Sequence, residues 1–141
     1  MILVWKNQNF DYRYDGIVYA VSASLGFAAL ENILYVISYG TSVSIGRAIF
    51  AIPGHTTFAV FMGFFLSRAK TAWLDNKNFK KNLCKILSLV VPMLIHGLYD
   101  FLLSPQISQE GLQFLFYIYV ILLDLFAWKI IKHEFKTDRR L

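Results

Sequence analysis

Glu31, His55, His96, Asp100 and Asp124 each lie inside a long apolar stretch of the chain. An ionisable side chain within a membrane-spanning helix costs about 2.5–3.5 kcal/mol on insertion scales, so each needs a partner or a function to hold it there. His96 and Asp100 are four positions apart and share one helical face. One carboxylate, two imidazoles and a second carboxylate are the parts required to bind or activate a water. Glu31 suits a base or a metal ligand, and His55 and His96 suit metal ligands or donors to an oxyanion. Buried Glu–His pairs also act as glue between helices, and for each residue taken singly that reading stands beside the chemical one. Asp124 lies deeper than the rest, a position that favours an interhelical hydrogen bond or a place in a cavity wall.

Four apolar runs must position these groups: residues 16–39, 45–66, 86–103 and 112–131, of 24, 22, 18 and 20 residues. A hydrocarbon core of ~30 Å needs about 20 helical residues, so each run can span. Together they take 84 of 141 residues and leave short connectors. The expectation is an all-α, polytopic transmembrane bundle forming a single integral membrane domain over residues 1–141. With consecutive spans antiparallel, Glu31 is eight residues before Tyr39, His55 ten after Ile45 and His96 seven before Leu103. At ~1.5 Å per residue, all three lie roughly 10–15 Å below the same surface, with Asp100 one turn nearer to it. Pro53 and Pro92 each remove a backbone hydrogen bond close to a histidine. Broken backbone at membrane depth is tolerated where protein or a water-filled cavity covers it, so a polar cavity is expected in this layer.

The composition agrees. Hydrophobic residues make up 57% and charged residues 16% of the chain, against ~25% charged in soluble domains. Too few charges remain to coat a water-facing globule, which excludes a soluble enzyme. Cys84 is the single cysteine, which excludes an intrachain disulfide or a cysteine-based zinc site. The net charge of +5 does not signal nucleic acid, because the basic residues flank the spans. Thirteen of the 14 fall before the first span, between the second and third, or in the tail, and only Arg47 lies at the opposite end. Both termini are therefore expected in the cytoplasm. The basic stretch carrying Trp73 and Phe79 is expected to rest on the inner leaflet near anionic headgroups. Tyr14, Tyr19, Tyr35, Tyr39, Tyr99, Trp73 and Trp128 fall mostly near span ends, as interfacial anchors do. Gly26, Gly63 and Gly97 are expected at close helix contacts. His133 belongs to the solvated tail. Met1 to Trp5 is too short for a signal-peptide core and reads as the end of another helix.

At these residues the chain resembles the PrsW-type intramembrane proteases, distant relatives of the CAAX-prenyl and ABI membrane proteases. Asp15-Gly16-Ile17-Val18-Tyr19 leading into Leu25 through Asn32 is similar to a signature containing Phe-x-x-x-Glu-Asn, met here by Phe27, Glu31 and Asn32. Arg47 with Pro53-Gly54-His55 resembles a second patch, and His96-Gly97-Leu98-Tyr99-Asp100 resembles a His-x-x-x-Asp element. The resemblance covers roughly residues 10 to 105. It implies a catalytic set of Glu31, His55, His96 and Asp100, with Phe27, Asn32 and Arg47 supporting substrate or site. It also implies a multi-pass location in the bacterial cytoplasmic membrane and substrates that are membrane-anchored regulators such as anti-sigma factors, cut on the extracytoplasmic side. The family's Glu-Glu-x-x-Lys motif precedes the Asp-Gly signature and is missing here; Met1 to Trp5 would then be the remnant of its helix, and the chain N-terminally truncated.

Zinc is one possible cofactor, with His55, His96 and Glu31 as three ligands and an open fourth position; the same groups can also work without metal. The expected partners are a protein substrate and the bilayer, and no nucleic acid. Two other classes remain open at this level, a non-catalytic membrane scaffold and a proton- or ion-coupled transporter component.

Overall fold

A computed structural model of the chain describes residues 2–104, 107 and 111–141. Five α-helical segments run through the described residues, besides a 3-10 turn at Thr41–Val43: α1 (Ile2–Trp5), α2 (Asp15–Tyr39), α3 (Ser44–Leu74), α4 (Asn78–Leu102) and α5 (Phe114–Lys136). Among the described residues there is no strand beyond an isolated bridge between Tyr12 and Arg140. Helices α2 to α5 are long and apolar enough to cross a membrane. Large apolar side chains cover their outside, with Ile37 76%, Ile45 72%, Met93 70% and Leu94 69% exposed. In water that surface would aggregate, whereas in lipid it costs nothing. Residues 105, 106 and 108–110 of the expected connector between the last two spans lie outside the described residues.

Helix α3 is the hub. Half of its most apolar window is buried, against 17% for α2, 17% for α4 and 11% for α5. Ile17, Val60, Phe61 and Ala127 form one core cluster, and Phe58, Tyr99 and Phe116 a second. Helix α2 starts where the Asp15 carboxylate accepts hydrogen bonds from the Tyr12 and Asp11 backbone N–H groups, at 2.7 and 3.1 Å. It stops at Gly40, whose φ of 81° suits a residue without a Cβ. The first turns of α3 widen to π geometry over Arg47–Ala51. Pro53 comes two residues after Ala51: it has no N–H, and its ring would press on the Ile49 carbonyl four residues back, inside that widened turn.

The span boundaries differ from expectation on one side of the bundle. α3 continues eight residues past Leu66 to Leu74, and α4 begins at Asn78, eight before Ile86. The basic stretch expected to lie along the leaflet is therefore mostly helix, with Trp73 in α3, Phe79 in α4 and a connection of residues 75–77 closed by Asn76 at φ 58°. Backbone hydrogen bonding has no reason to stop where apolar residues do, because lysine and arginine stems can run along a helix and keep their charges in water.

Gly63 sits at a close α2–α3 crossing: an added Cβ would overlap Ile17 Cα and lie 2.5 Å from the Gly16 carbonyl oxygen. Gly16 is its partner there. Gly26 and Gly97, expected at similar contacts, have nothing within 4 Å of a would-be Cβ. Gly63→Ala should consequently lower the thermal midpoint of the detergent-solubilised chain, by the ~1–3 kcal/mol of an overpacked contact. Gly26→Ala should leave it unchanged or slightly raised, since alanine is the better helix former. Equal midpoints for the two variants would mean that the crossing is not tight.

At the basic end, the tail is knotted to the segment before α2. Arg68 Nη2 lies 2.5 Å and Arg13 Nη2 3.6 Å from the carboxylate of Glu134, which is 1% exposed. The Tyr14 N–H donates to Asp138 Oδ1 at 3.0 Å, the Leu141 N–H to the Asp11 carbonyl at 2.5 Å, and Ser67 Oγ to the Arg13 carbonyl. Both terminal segments thus lie at one end of the bundle, as four antiparallel spans require.

Candidate active site

At the other end, three helices converge on one cavity of about 620 Å³. Helix α2 brings Glu31 and Tyr35, α3 brings Arg47, His55 and Phe58, and α4 brings His96, Tyr99 and Asp100. The Oε2 of Glu31 lies 2.9 Å from His55 Nε2 and accepts a hydrogen bond from Arg47 Nη2 at 2.7 Å. Arg47 also donates through Nε to Asn32 Oδ1 at 2.6 Å, and its guanidinium lies 3.6 Å from the centre of the Tyr35 ring. This arginine is held by a carboxylate, an amide and an aromatic face, so its charge stays beside Glu31 and compensates it in a low-dielectric site. The widened turn ahead of Pro53 carries Arg47, which places an end-of-helix cation beside a carboxylate from the neighbouring span.

The His55 and His96 rings are 5.1 Å apart at 77°. His96 stacks on Phe58 at 4.9 Å, and its Nε2 is 3.5 Å from Asp100 Oδ2. Side-chain exposure climbs along the set, from 7% at His55 through 27% at Glu31 and 35% at His96 to 67% at Asp100, so the cavity has a closed floor and an open mouth. Phe27 packs edge-on against the His55 ring at 5.7 Å, and Ser24 Oγ donates to the His55 carbonyl at 2.9 Å. The structure therefore brings Glu31, His55, His96, Asp100, Asn32, Arg47 and Phe27 into one neighbourhood. Asp124 stands apart, accepting a 2.7 Å hydrogen bond from Thr57 Oγ1 that ties α5 to α3.

Three residues of the site escape a reading of the sequence. Phe58 forms the wall against which His96 stacks, and Ser24 holds the backbone of His55; neither side chain is distinctive in an apolar helix. Tyr99, expected as an interfacial anchor, is 5% exposed, with its ring packed between Phe58 and Phe116 and lining the cavity. Its place three residues after His96 puts both on one helical face, and that spacing was the available signal.

Among the described residues, no three His, Cys, Asp or Glu side chains converge as a metal site does. The oxygen of Glu31 nearest His55 is shared with Arg47, and His96 Nε2 is directed to Asp100. The zinc set expected from the sequence, His55, His96 and Glu31, is thus not assembled as three ligands. A cation there would have to compete with the Arg47 guanidinium already at that carboxylate.

Residues 1–127 match the model of the PrsW family, described as intramembrane metalloproteases. The chain belongs to this family. It is 45% identical over 105 residues to the Protease PrsW of Oceanobacillus iheyensis, an alignment covering 74% of this chain and 46% of that protein. It is 47% identical over 104 residues to the Protease PrsW of Bacillus subtilis, covering 74% and 46%. For the Protease PrsW of Clostridioides difficile, identity is 37% over 129 residues, covering 89% and 50%. The chain therefore spans about half the length of the curated relatives it matches. No solved structure matches it.

Proposed function

We propose that the chain carries the catalytic layer of an intramembrane protease that hydrolyses a peptide bond with an activated water. The observation that supports this most is the contact of Glu31 with both His55 and Arg47 beside a cavity that also holds His96 and Asp100. In this reading Glu31, ion-paired with Arg47, accepts a proton from water, and the water oxygen adds to the scissile carbonyl carbon. The oxyanion that forms accepts a hydrogen bond from Nδ1–H of His96, a step that needs both ring nitrogens to carry hydrogen because Nε2 faces the Asp100 carboxylate that orients the ring. His55, in contact with Glu31, passes the proton to the leaving amine as the carbon–nitrogen bond breaks.

The substrate class follows the resemblance: a membrane-anchored regulator of the anti-sigma type, cut near the extracytoplasmic surface of a bacterial cytoplasmic membrane. That side requires the basic end to face the cytoplasm. A reporter fused after Leu141 should accordingly read as cytoplasmic, and the reverse would put the cavity on the wrong side for this substrate. Asp100→Asn should lower cleavage of a membrane-anchored reporter by ~10-fold or more while the protein still inserts, because removing a charge from a membrane helix eases insertion. Solute flux without cleavage would favour a transporter component. Unchanged cleavage in Asp100→Asn would remove Asp100 from the machinery.

A further inference from the structure

A second groove of about 620 Å³ lies at the basic end and shares no lining residue with the cavity of His55 and His96. Phe61, Phe64 and Phe65 of α3, Val91 of α4, and Phe126 and Ile130 of α5 make its floor. Arg68, Lys129 and His133 make its rim. From Phe61 to Arg68 the trough runs seven residues along α3, roughly 10 Å from apolar depth towards the membrane surface. Phe126 is 60% exposed and lies flat against Phe61 at 6.1 Å, so the trough opens to the side where lipid would be. The charges at the rim do not balance. Arg13 and Arg68 share the carboxylate of Glu134, while Lys129 is exposed and has no ion pair or hydrogen bond among the described residues. Lys129 and His133 are four apart on one face of α5; the His133 ring is 62% exposed, with Nε2 4.0 Å from the Glu134 carboxylate that already serves the two arginines, so Lys129 is the unshared charge of the rim. A surplus of positive charge at the water boundary above an aromatic trough is complementary to an anionic headgroup with the first part of an acyl chain below it.

We propose that this groove binds one anionic phospholipid from the leaflet at the basic end of the bundle, its phosphate held by Lys129, His133 and the exposed part of Arg68, and its chain laid along Phe61, Phe64 and Phe126. The site is separate from the histidine cavity and independent of any proteolytic activity. The full chain, reconstituted into nanodiscs of phosphatidylcholine alone or with one fifth phosphatidylglycerol, is released and weighed by native mass spectrometry. The expected result is one retained phosphatidylglycerol per chain and no retained phosphatidylcholine. Lys129→Gln combined with His133→Gln, which leaves Arg68 on Glu134, should weaken retention about five-fold, the size of one lysine's effect near an anionic surface. Lys80→Gln with Lys81→Gln, outside the groove, should leave it unchanged. Equal retention of both lipids, equal loss in the two double variants, or a dimer mass that the Lys129/His133 variant abolishes would each overturn the proposal, the last by showing a second copy as the occupant.

Discussion

Replacing Glu31 with glutamine is expected to reduce cleavage of a membrane-anchored reporter by ~10²-fold or more in proteoliposomes of the full chain, with insertion and helix content unchanged. Glutamine keeps the shape of the side chain and can still accept from Arg47 and meet His55, so the cavity should survive. What it loses is the ability to take a proton and the charge that Arg47 compensates at 2.7 Å. A chelator arm belongs in the same assay. Cleavage that persists in chelator would support the metal-free route, in which Glu31 Oε2 stays shared by His55 and Arg47. Inhibition reversed by zinc would show that Glu31 swings away from Arg47 to join the imidazoles. A Glu31→Gln chain that cuts at the unmodified rate would return the polar layer to a packing role.

Glu134→Gln should be the most damaging single change outside the cavity. The carboxylate is 1% exposed and is the counterion of both Arg13 and Arg68. Two buried or half-buried guanidiniums would be left facing a neutral amide, a situation that costs ~3–5 kcal/mol when one partner of a buried pair is removed. The knot of the tail with the segment before α2 should loosen with it. Thermal denaturation in detergent should show the midpoint falling by on the order of ten degrees. Asp75→Asn is the matched control. A hydrogen bond from the Lys77 ammonium and its charge hold the Asp75 carboxyl below its ordinary pKa, but the pair is exposed at 48% and 61%, so the midpoint should not move measurably. Equal midpoints for the two variants would mean that the Glu134 contacts carry no stability.

The division between what one dimension shows and what three decide is clear in particular residues. Hydropathy and length alone determine four spans, because the bilayer asks only that each helix be long and apolar, and that demand is met residue by residue along the chain. The step of ~1.5 Å per residue likewise sets depth. That is why Glu31, His55 and His96 can be assigned a common level before any contact is known. Rotation about each helix axis is a different matter, since it is set by which side chains meet across spans far apart in sequence. Only the tertiary structure shows that Arg47, placed by the π turn before Pro53, reaches across to Glu31 and Asn32. It alone turns Tyr99 inward beneath the cavity, leaves Gly26 and Gly97 facing open space, and closes α2 on α3 at Gly16 and Gly63. Glu134 makes the same point most plainly: among the lysines and arginines of the tail it reads as one more solvated charge, and it is buried because Arg13 and Arg68, 121 and 66 positions away, meet it there.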